Sequence, residues 1–417
     1  MPRPASRISW RRGIADRDLG WGMPGNKKFE LRLRWMSSHL QQAGYAALVA
    51  FGWGSAHGQT TMSHGNMRYL TGWDSQRFSS LLVVFPGGAR PVLLVPNIGA
   101  YVTAREQIGY CDVRFCAADA LGSATAACLA EHAVGRDACV ATLGRGEMPV
   151  GVWEQLGLQV SQTVDVQYLL DAGRMVKDED AIGLHRKAAA ACDAIFAALP
   201  AQLRSGRNLF SIRAQLQALG AMHGAEYCDM WLTVSPNAQR EFMFKVDMQG
   251  VPQDGDQILF GVSLTIDGHW GHAVRAGYMG EPNLRHQFYY DVVRQIYEMA
   301  VRELRPGKDL AELNQDMLNV LERHIPDYSN TETYGRFRYA HGLGLSYEDA
   351  IVTASFPQPY IAGGRPKSLV AEPGMLVEIH PNIFHVSDGG CALGNMILVT
   401  QDGCEALTTH ELGLARY

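Results

Sequence analysis

The chain has 417 residues, of which 47% are hydrophobic and 19% are charged, a composition typical of a globular protein and not of a disordered one. This length exceeds that of one ordinary core, so we expect two domains. The net charge of −5 at pH 7 argues against a nucleic-acid-binding protein. Apolar runs fall short of the length of a membrane span, so we expect no membrane association.

Eight cysteines are scattered along the chain without a Cys-x-x-Cys pair. Scattered thiols in a long chain are typical of a reducing compartment, where cysteines act as small buried residues. The arginines near the N-terminus precede no apolar segment, so we expect no secretory signal. Together these features predict a cytoplasmic location.

The first part of the chain alternates between strand and helix patterns. Residues 1–26 are rich in Arg, Pro and Gly and predict an extended arm. Apolar residues at helical spacing predict helices at 27–44, 98–107 and 117–133. Short apolar runs predict buried strands at 46–51, 80–85 and 91–95. This alternation predicts an α/β domain over residues 27–170.

A boundary segment at 172–180 separates this domain from a second one, predicted over residues 171–417. Helices are predicted at 179–199, 208–222, 284–304 and 309–325. Strands are predicted at 257–266, 269–279, 375–381 and 393–400. The Asp267-Gly268 pair between two strand patterns predicts a tight hairpin. The second domain is therefore predicted to be α+β, with two helix pairs and a largely antiparallel sheet.

Strand alternation places several polar residues on common faces. His272 lies on one face of its strand and Arg275 on the other, whereas Glu378 and His380 share a face. Burying such groups costs free energy unless they are paired or bind a metal. His341, in the string His-Gly-Leu-Gly-Leu, is a third candidate. The alternative is that each histidine only satisfies a backbone carbonyl.

Five strings occur in an order that resembles one known family. They are Arg174-Met-Val-Lys, Val234-Ser-Pro-Asn-Ala, His341-Gly-Leu-Gly-Leu, Glu372-Pro-Gly-Met-Leu and Leu398-Val-Thr-x-Asp-Gly. The chain resembles the creatinase/aminopeptidase P ("pita-bread", peptidase M24-like) family over nearly its whole length. The resemblance implies a creatinase-type N-terminal α/β domain, a pita-bread catalytic domain with a curved antiparallel sheet and two pseudo-symmetric helix pairs, and a homodimer.

The resemblance also implies a ligand set. Peptidases of that family hold two metal ions with two aspartates, one histidine and two glutamates. At the corresponding positions this chain has Gly261, His272, His341, His380 and Gly394. Three imidazoles with open positions suit one divalent ion, with zinc or iron expected first and manganese as a further candidate.

The expected reaction follows from what this set lacks. Peptidases of the family have two further histidines that this chain lacks. The first would lie near Arg240 and the second is replaced by Glu348, so we expect a non-peptidase enzyme. The leading hypothesis is hydrolysis or elimination on a small, polar, carboxylated substrate, a hydrolase or lyase with Glu378, Glu348 and His341 as catalytic groups. Three alternatives remain open: a metal-free creatinase-like C–N hydrolase, an iron-dependent oxygenase and a non-catalytic binding module.

Five further residues are candidates for substrate binding. For Arg77 the resemblance implies a carboxylate-binding arginine of the N-terminal domain, and the other four are aromatic or cationic side chains suited to a pocket for a polar substrate. The five are Trp73, Arg77, Trp231, Arg240 and Arg275.

Overall fold

The structure is a computed structural model that describes residues 27–135, 137–330, 332–334, 340–349, 369–413 and 415–417. The arm expected over residues 1–26 lies outside these ranges. The chain divides between Gln167 and Tyr168 into two compact units, and each is described by itself.

The N-terminal unit is built on a mixed six-stranded sheet with strand order β4-β3-β2-β1-β5-β6. Its strands are β1 (Ala47–Trp53), β2 (Ser79–Val84), β3 (Val92–Val95), β4 (Asp112–Phe115), β5 (Val140–Leu143) and β6 (Thr163–Asp165). Its helices are α1 (Lys27–Ala43), α2 (Ser63–Thr71), α3 (Ile98–Gln107), α4 (Leu121–Glu131) and α5 (Val150–Leu156). Parallel pairing of β1 with β5 and of β3 with β4 confirms the α/β class.

Helix α2 is one of the elements of this unit that the apolar pattern did not indicate. Its N-terminal amide groups are satisfied by a residue distant in the sequence: the Glu147 carboxylate accepts from the backbone N–H of Met62 (2.7 Å) and of Ser63 (3.1 Å). An anion at this end also interacts favourably with the helix dipole. The helix ends at Gly72, whose φ of 64° is left-handed.

The second unit begins within α6 (Gln167–Met175) and contains a four-stranded sheet of order β16-β9-β8-β7. Its strands are β7 (Tyr227–Ser235), β8 (Gln257–Ile266), β9 (His269–Tyr278) and β16 (Ala415–Arg416). The predicted hairpin is confirmed: Asp267 and Gly268 have φ values of 46° and 76°, as a type I′ turn requires. Helices α7 (Glu179–Leu203) and α8 (Leu209–Met222) pack on one face of this sheet, around residues such as Phe260 and Val262.

A second sheet of this unit has the order β10-β11-β14-β15. Its strands are β10 (Ala340–Gly342), β11 (Leu376–Ile379), β14 (Asn395–Val399) and β15 (Cys404–Ala406), and a separate hairpin pairs β12 (Asn382–His385) with β13 (Gly389–Ala392). Helices α9 (Leu284–Glu303) and α10 (Leu310–His324) pack against this part. Two helix pairs and largely antiparallel sheets, in which only the short β16 pairs in parallel among the described strands of this unit, confirm the predicted α+β class.

The two sheets of the second unit meet at one backbone bridge. Val274 of β9 and Gly394 exchange N–H···O bonds of 3.1 and 3.0 Å. The bridge brings β9 beside β14, so side chains from both sheets can face a common space. Within the described ranges, none of the helices combines the length and the apolar character that a bilayer crossing demands.

Candidate metal centre

Three histidines converge where the two sheets meet. His272 lies on β9, His341 lies on β10, and His380 directly follows β11. All three are buried, and each offers a ring nitrogen within 4.8 Å of those of the other two. The structure therefore brings together the three residues predicted as ligands, and we call them the three-histidine cluster.

Backbone carbonyls orient two of these imidazoles. The Nδ1 atom of His272 lies 2.7 Å from the carbonyl oxygen of Val262, and Nδ1 of His341 lies 3.0 Å from that of Gly342. Since a carbonyl oxygen only accepts, each Nδ1 carries the hydrogen and each Nε2 keeps its lone pair. This is the arrangement in which an imidazole binds a metal through Nε2 while its other nitrogen is held by the protein.

Glu378 lies beside the cluster. Its Oε1 is 3.9 Å from Nε2 of His272, and it is opposite His341 in the pairing of β10 with β11. The side chain is fully buried, and neither of its oxygens has a hydrogen-bond partner among the described residues. Burial raises the pKa of this carboxyl well above its usual value, and the charge of Arg275 only partly opposes that shift.

Gly394 leaves the room that these side chains occupy. A Cβ atom at this position would lie 2.4 Å from Cβ of His380 and 2.7 Å from Oε1 of Glu378. Real side chains do not approach so closely, so residue 394 has to be glycine for His380 and Glu378 to adopt these positions. Glycine at 394 is therefore needed for the packing of His380 and Glu378, a role that was not predicted from the sequence.

Gly261 also faces a side chain. A Cβ atom there would lie 2.2 Å from Cε2 and 2.4 Å from Nε1 of Trp231, its partner on β7. Gly261 and Ser263 share one face of β8, and Ser263 pairs with His272. The half-buried indole of Trp231 therefore covers the sheet face that carries His272.

Tyr347 is a residue of the site that the sequence analysis missed. Its ring centroid lies 4.9 Å from that of His341 and 5.1 Å from that of His272. It also meets Trp270 edge-on at 5.3 Å. Tyr347 belongs to an irregular segment after β10, where no periodicity signals which way a side chain points.

Other predicted residues lie in different settings. Arg275 is buried, and its guanidinium donates to the carbonyls of Gly394 (2.7 Å) and His410 (2.8 Å). Its face of β9 is covered by α7, where the guanidinium stacks on Phe196 at 4.7 Å. These contacts favour a structural role for Arg275 over the substrate contact expected from the sequence.

Four other predicted residues lie in the following settings. Arg240 is largely exposed and pairs with Asp247 at 2.6 Å. Trp73 is buried and Arg77 is exposed, and both belong to the N-terminal unit. Glu348 is half-buried and follows Tyr347 in the same segment. Substrate binding by Arg77 and proton transfer by Glu348 stay predictions.

Comparison with known families identifies the chain. Residues 183–401 match the model of metallopeptidase family M24, and residues 38–176 match the creatinase/prolidase N-terminal domain. The chain belongs to metallopeptidase family M24, which confirms the family and the pita-bread fold expected from the sequence motifs. This is a family of metal-dependent hydrolases, which supports the expectation of an enzyme.

Individual relatives agree with this assignment. The chain is 25% identical over 353 residues to a "Probable dipeptidase PepE" of Mycobacterium tuberculosis, covering 82% of this chain and 88% of the relative. It is 22% identical over 266 residues to an "Xaa-Pro dipeptidase" of Pyrococcus horikoshii, covering 63% and 72%. Among solved structures, a recombinant prolidase from Thermococcus sibiricus superposes with a TM-score of 0.75 at 18% identity, covering 95% of this chain and 100% of that one.

These relatives correct one expectation. The prediction of a non-peptidase enzyme is wrong, because the relatives are named dipeptidases and prolidases. The prediction treated two features as a loss of peptidase chemistry: the missing carboxylate ligands, and the absence of the family's two further histidines near Arg240 and at Glu348. Three imidazoles beside a buried carboxylate still offer what amide hydrolysis needs, namely a cation site and a proton acceptor. The identity of the ligands therefore does not decide the reaction.

Proposed function

We propose that this chain is a metal-dependent peptidase that hydrolyses the amide bond of a dipeptide, with one divalent cation held by His272, His341 and His380. The observation that carries the proposal is the convergence of three buried imidazoles beside a buried carboxylate that lacks a hydrogen-bond partner among the described residues.

The residues present fit a cation. A buried carboxylate costs free energy unless it is protonated or a positive charge is near, and Glu378 lies 3.9 Å from Nε2 of His272. The tautomers of His272 and His341 that their carbonyl partners require leave Nε2 with its lone pair. Three neutral imidazoles are a known ligand set for catalytic zinc with an open coordination position, so zinc is our first candidate, ahead of iron and manganese.

Packing supports one ion rather than two. At Gly261, where the family resemblance implies a carboxylate ligand, the Trp231 indole lies where a side chain would begin. At Gly394 the corresponding space is taken by His380 and Glu378. Neither position offers a donor atom from its own side chain, so the ligands that a second ion would need are missing from both.

The chain's own groups have defined parts in the reaction. When bound, a divalent cation at the cluster polarises the substrate carbonyl and lowers the pKa of water. In this proposal Glu378 accepts a proton from the attacking water at Oε1 and delivers it to the departing amine. The buried surroundings exclude bulk solvent, which strengthens these electrostatic interactions.

The names of the relatives support a dipeptide as the substrate class. A dipeptide is also the kind of small, polar, carboxylated molecule that the sequence analysis expected. We include the cytoplasmic location and the homodimer in the proposal. All eight cysteines are free thiols, which suits a reducing compartment, and the dimer rests on the family resemblance.

The test combines metal content with hydrolysis. Protein purified without added metal is analysed by inductively coupled plasma mass spectrometry and assayed against a panel of dipeptides, including Xaa-Pro dipeptides. We expect about one equivalent of metal per chain and measurable hydrolysis. His272→Ala and His380→Ala should each lose the metal and lower kcat/KM by about 100-fold or more.

His223→Ala is the matched control, because His223 is exposed at the end of α8. It should keep both metal and activity. Full hydrolysis by protein that contains no metal would overturn the proposal, and so would two equivalents that survive in His272→Ala. Light scattering of the eluting protein gives the molar mass, and a monomer would remove the dimer from the proposal.

A further inference from the structure

Residues 343–349 form a loop that follows β10, called the 343–349 loop below. This loop carries Tyr347 against the three-histidine cluster. The ring of Tyr347 contacts His341 at 4.9 Å and 44° and His272 at 5.1 Å and 58° between ring planes. These two histidines lie on different sheets, so one side chain packs against ligands from both.

A buried ion-pair network holds the end of this loop. Asp349 forms ion pairs with Arg174 and, at 3.6 Å, with Nζ of Lys177. The three side chains are 2%, 3% and 5% exposed for Asp349, Arg174 and Lys177 respectively. Arg174 also donates to the hydroxyl of Ser346 at 2.7 Å, one residue before Tyr347. Charges this deeply buried persist only when they are paired, so the network defines one position for the loop.

Hydrogen bonds within the loop complete the restraint. The Asp349 amide donates to the carbonyl of Gly342 at 2.9 Å, and Oδ2 of Asp349 accepts from the Leu345 amide at 3.2 Å. The carbonyl of Gly344 accepts from the Trp270 amide at 2.9 Å, two residues before His272. The loop is thus attached to β9 and β10, the strands that bear His272 and His341.

We infer that Tyr347 is a positioning residue for the metal site, and that the Asp349 network fixes it in place. Its ring packs against the imidazoles of both His272 and His341 and restrains them, so that their Nε2 atoms point toward one cation. The packing surface is the aromatic ring, so a phenylalanine at 347 retains this function. The inference rests on the proposed cation site.

Cobalt binding tests this inference without using activity. Metal-free protein is titrated with Co²⁺, whose absorption spectrum reports ligand geometry and whose titration curve gives Kd. We expect Tyr347→Phe to bind within about 2-fold of the wild type. Tyr347→Ala and Asp349→Asn should weaken binding by about 10- to 100-fold, the usual effect of losing a residue that orients a ligand, and should change the cobalt spectrum.

Two further variants keep the test decisive. Tyr101→Ala removes a half-buried tyrosine of the N-terminal unit and should leave Co²⁺ binding unchanged. Tyr347→Leu preserves bulk if the alanine variant does not fold, and should bind more weakly than Tyr347→Phe. Equal Kd values and spectra for wild type, Tyr347→Leu and Asp349→Asn would overturn the inference while leaving the proposed function intact. Wild-type protein that binds no Co²⁺ would overturn both.

Discussion

The indole of Trp231 lies directly over Gly261, so close that a Cβ atom at 261 would stand 2.2 Å from the ring. The two residues are partners on neighbouring strands, and the indole can lie here because residue 261 has no side chain. Gly261→Ala should therefore lower the free energy of unfolding by about 3 kcal/mol, the upper range for an overpacked site. In a Trp231→Ala background the same change should cost much less, with a coupling energy above about 1 kcal/mol.

Urea unfolding of the four proteins in this cycle measures the coupling. Gly250→Ala serves as the control, because a Cβ there would meet nothing within 4 Å. Additive effects of the two substitutions would show that Trp231 is not the obstacle at position 261.

Gly344 provides a second test of close packing. A Cβ atom there would lie 1.7 Å from Oδ2 of Asp349, within the buried ion-pair network. Gly344→Ala should displace this carboxylate from Arg174 and Lys177 and cost about 3–5 kcal/mol in the free energy of unfolding. Thermal and urea denaturation measure the loss, and Gly403→Ala, whose Cβ would meet nothing within 4 Å, should be nearly neutral. Equal stability of the two variants would contradict the described position of Asp349.

Arg275 is predicted to be irreplaceable by lysine. Its guanidinium reaches the carbonyls of Gly394 and His410 and also Oδ1 of Asn395 at 2.9 Å. An ammonium group cannot span these acceptors in the same fork geometry, so buried acceptors lose their donors. Arg275→Lys should lower the free energy of unfolding by about 2–4 kcal/mol. The exposed Arg302→Lys is the control, and a cost as small as that of the control would refute the structural role.

Acid should weaken the N-terminal unit through Asp74. This carboxylate accepts from the backbone N–H (2.9 Å) and hydroxyl of Ser55 and pairs with Arg68 at 2.6 Å. Burial acts to raise the pKa of Asp74, but the charge of Arg68 and the Ser55 hydrogen bonds outweigh it, so the pKa is lowered. A lowered folded-state pKa stabilises the fold above the unfolded pKa, and this stabilisation is lost as pH falls through the folded value.

Asp74→Asn should therefore lower the local free energy of unfolding by about 2 kcal/mol at neutral pH. The difference from wild type should shrink as the pH falls below about 3.9, the ordinary pKa of aspartate. Urea titrations read by hydrogen exchange of peptides spanning residues 54–78 give this difference at each pH. If the difference in free energy between wild type and Asp74→Asn stays constant into strong acid, the Asp74 carboxylate is not the group that stabilises this region. Asp119→Asn, at an exposed carboxyl, is the control.

Local patterns were enough to predict much of the fold. The Asp267-Gly268 pair specified the β8–β9 hairpin because few residues other than glycine, asparagine and aspartate adopt two successive positive φ values. Helix α2 was missed because the group that stabilises its N-terminus, Glu147, is 84 residues away from Ser63. The short strand β13 was missed because Gly389 and Gly390 interrupt any alternating pattern, and β12 was missed because its sequence Asn-Ile-Phe-His does not alternate.

The residues of the site also fall into those that the sequence predicts and those that it does not. Strand alternation and the family resemblance were sufficient to select the three histidines, because these signals are local or positional. Strand alternation also placed Arg275 opposite His272, and only the helix covering that face showed why a substrate contact is disfavoured. The approach of Trp231 to Gly261 and the packing of Tyr347 are contacts between segments far apart in sequence, which periodicity does not report.

The three histidines come from two separate sheets, with His272 on one and His341 and His380 on or beside the other. A cation shared by them would cross-link the sheets, as the Val274–Gly394 bridge does with backbone atoms. A ligand that binds only the folded state stabilises that state by about 2.7 kcal/mol when the free ligand concentration is 100 times Kd. The supply of metal would then control the lifetime of the folded second unit as well as its activity. A chelator would shorten that lifetime even in the absence of substrate.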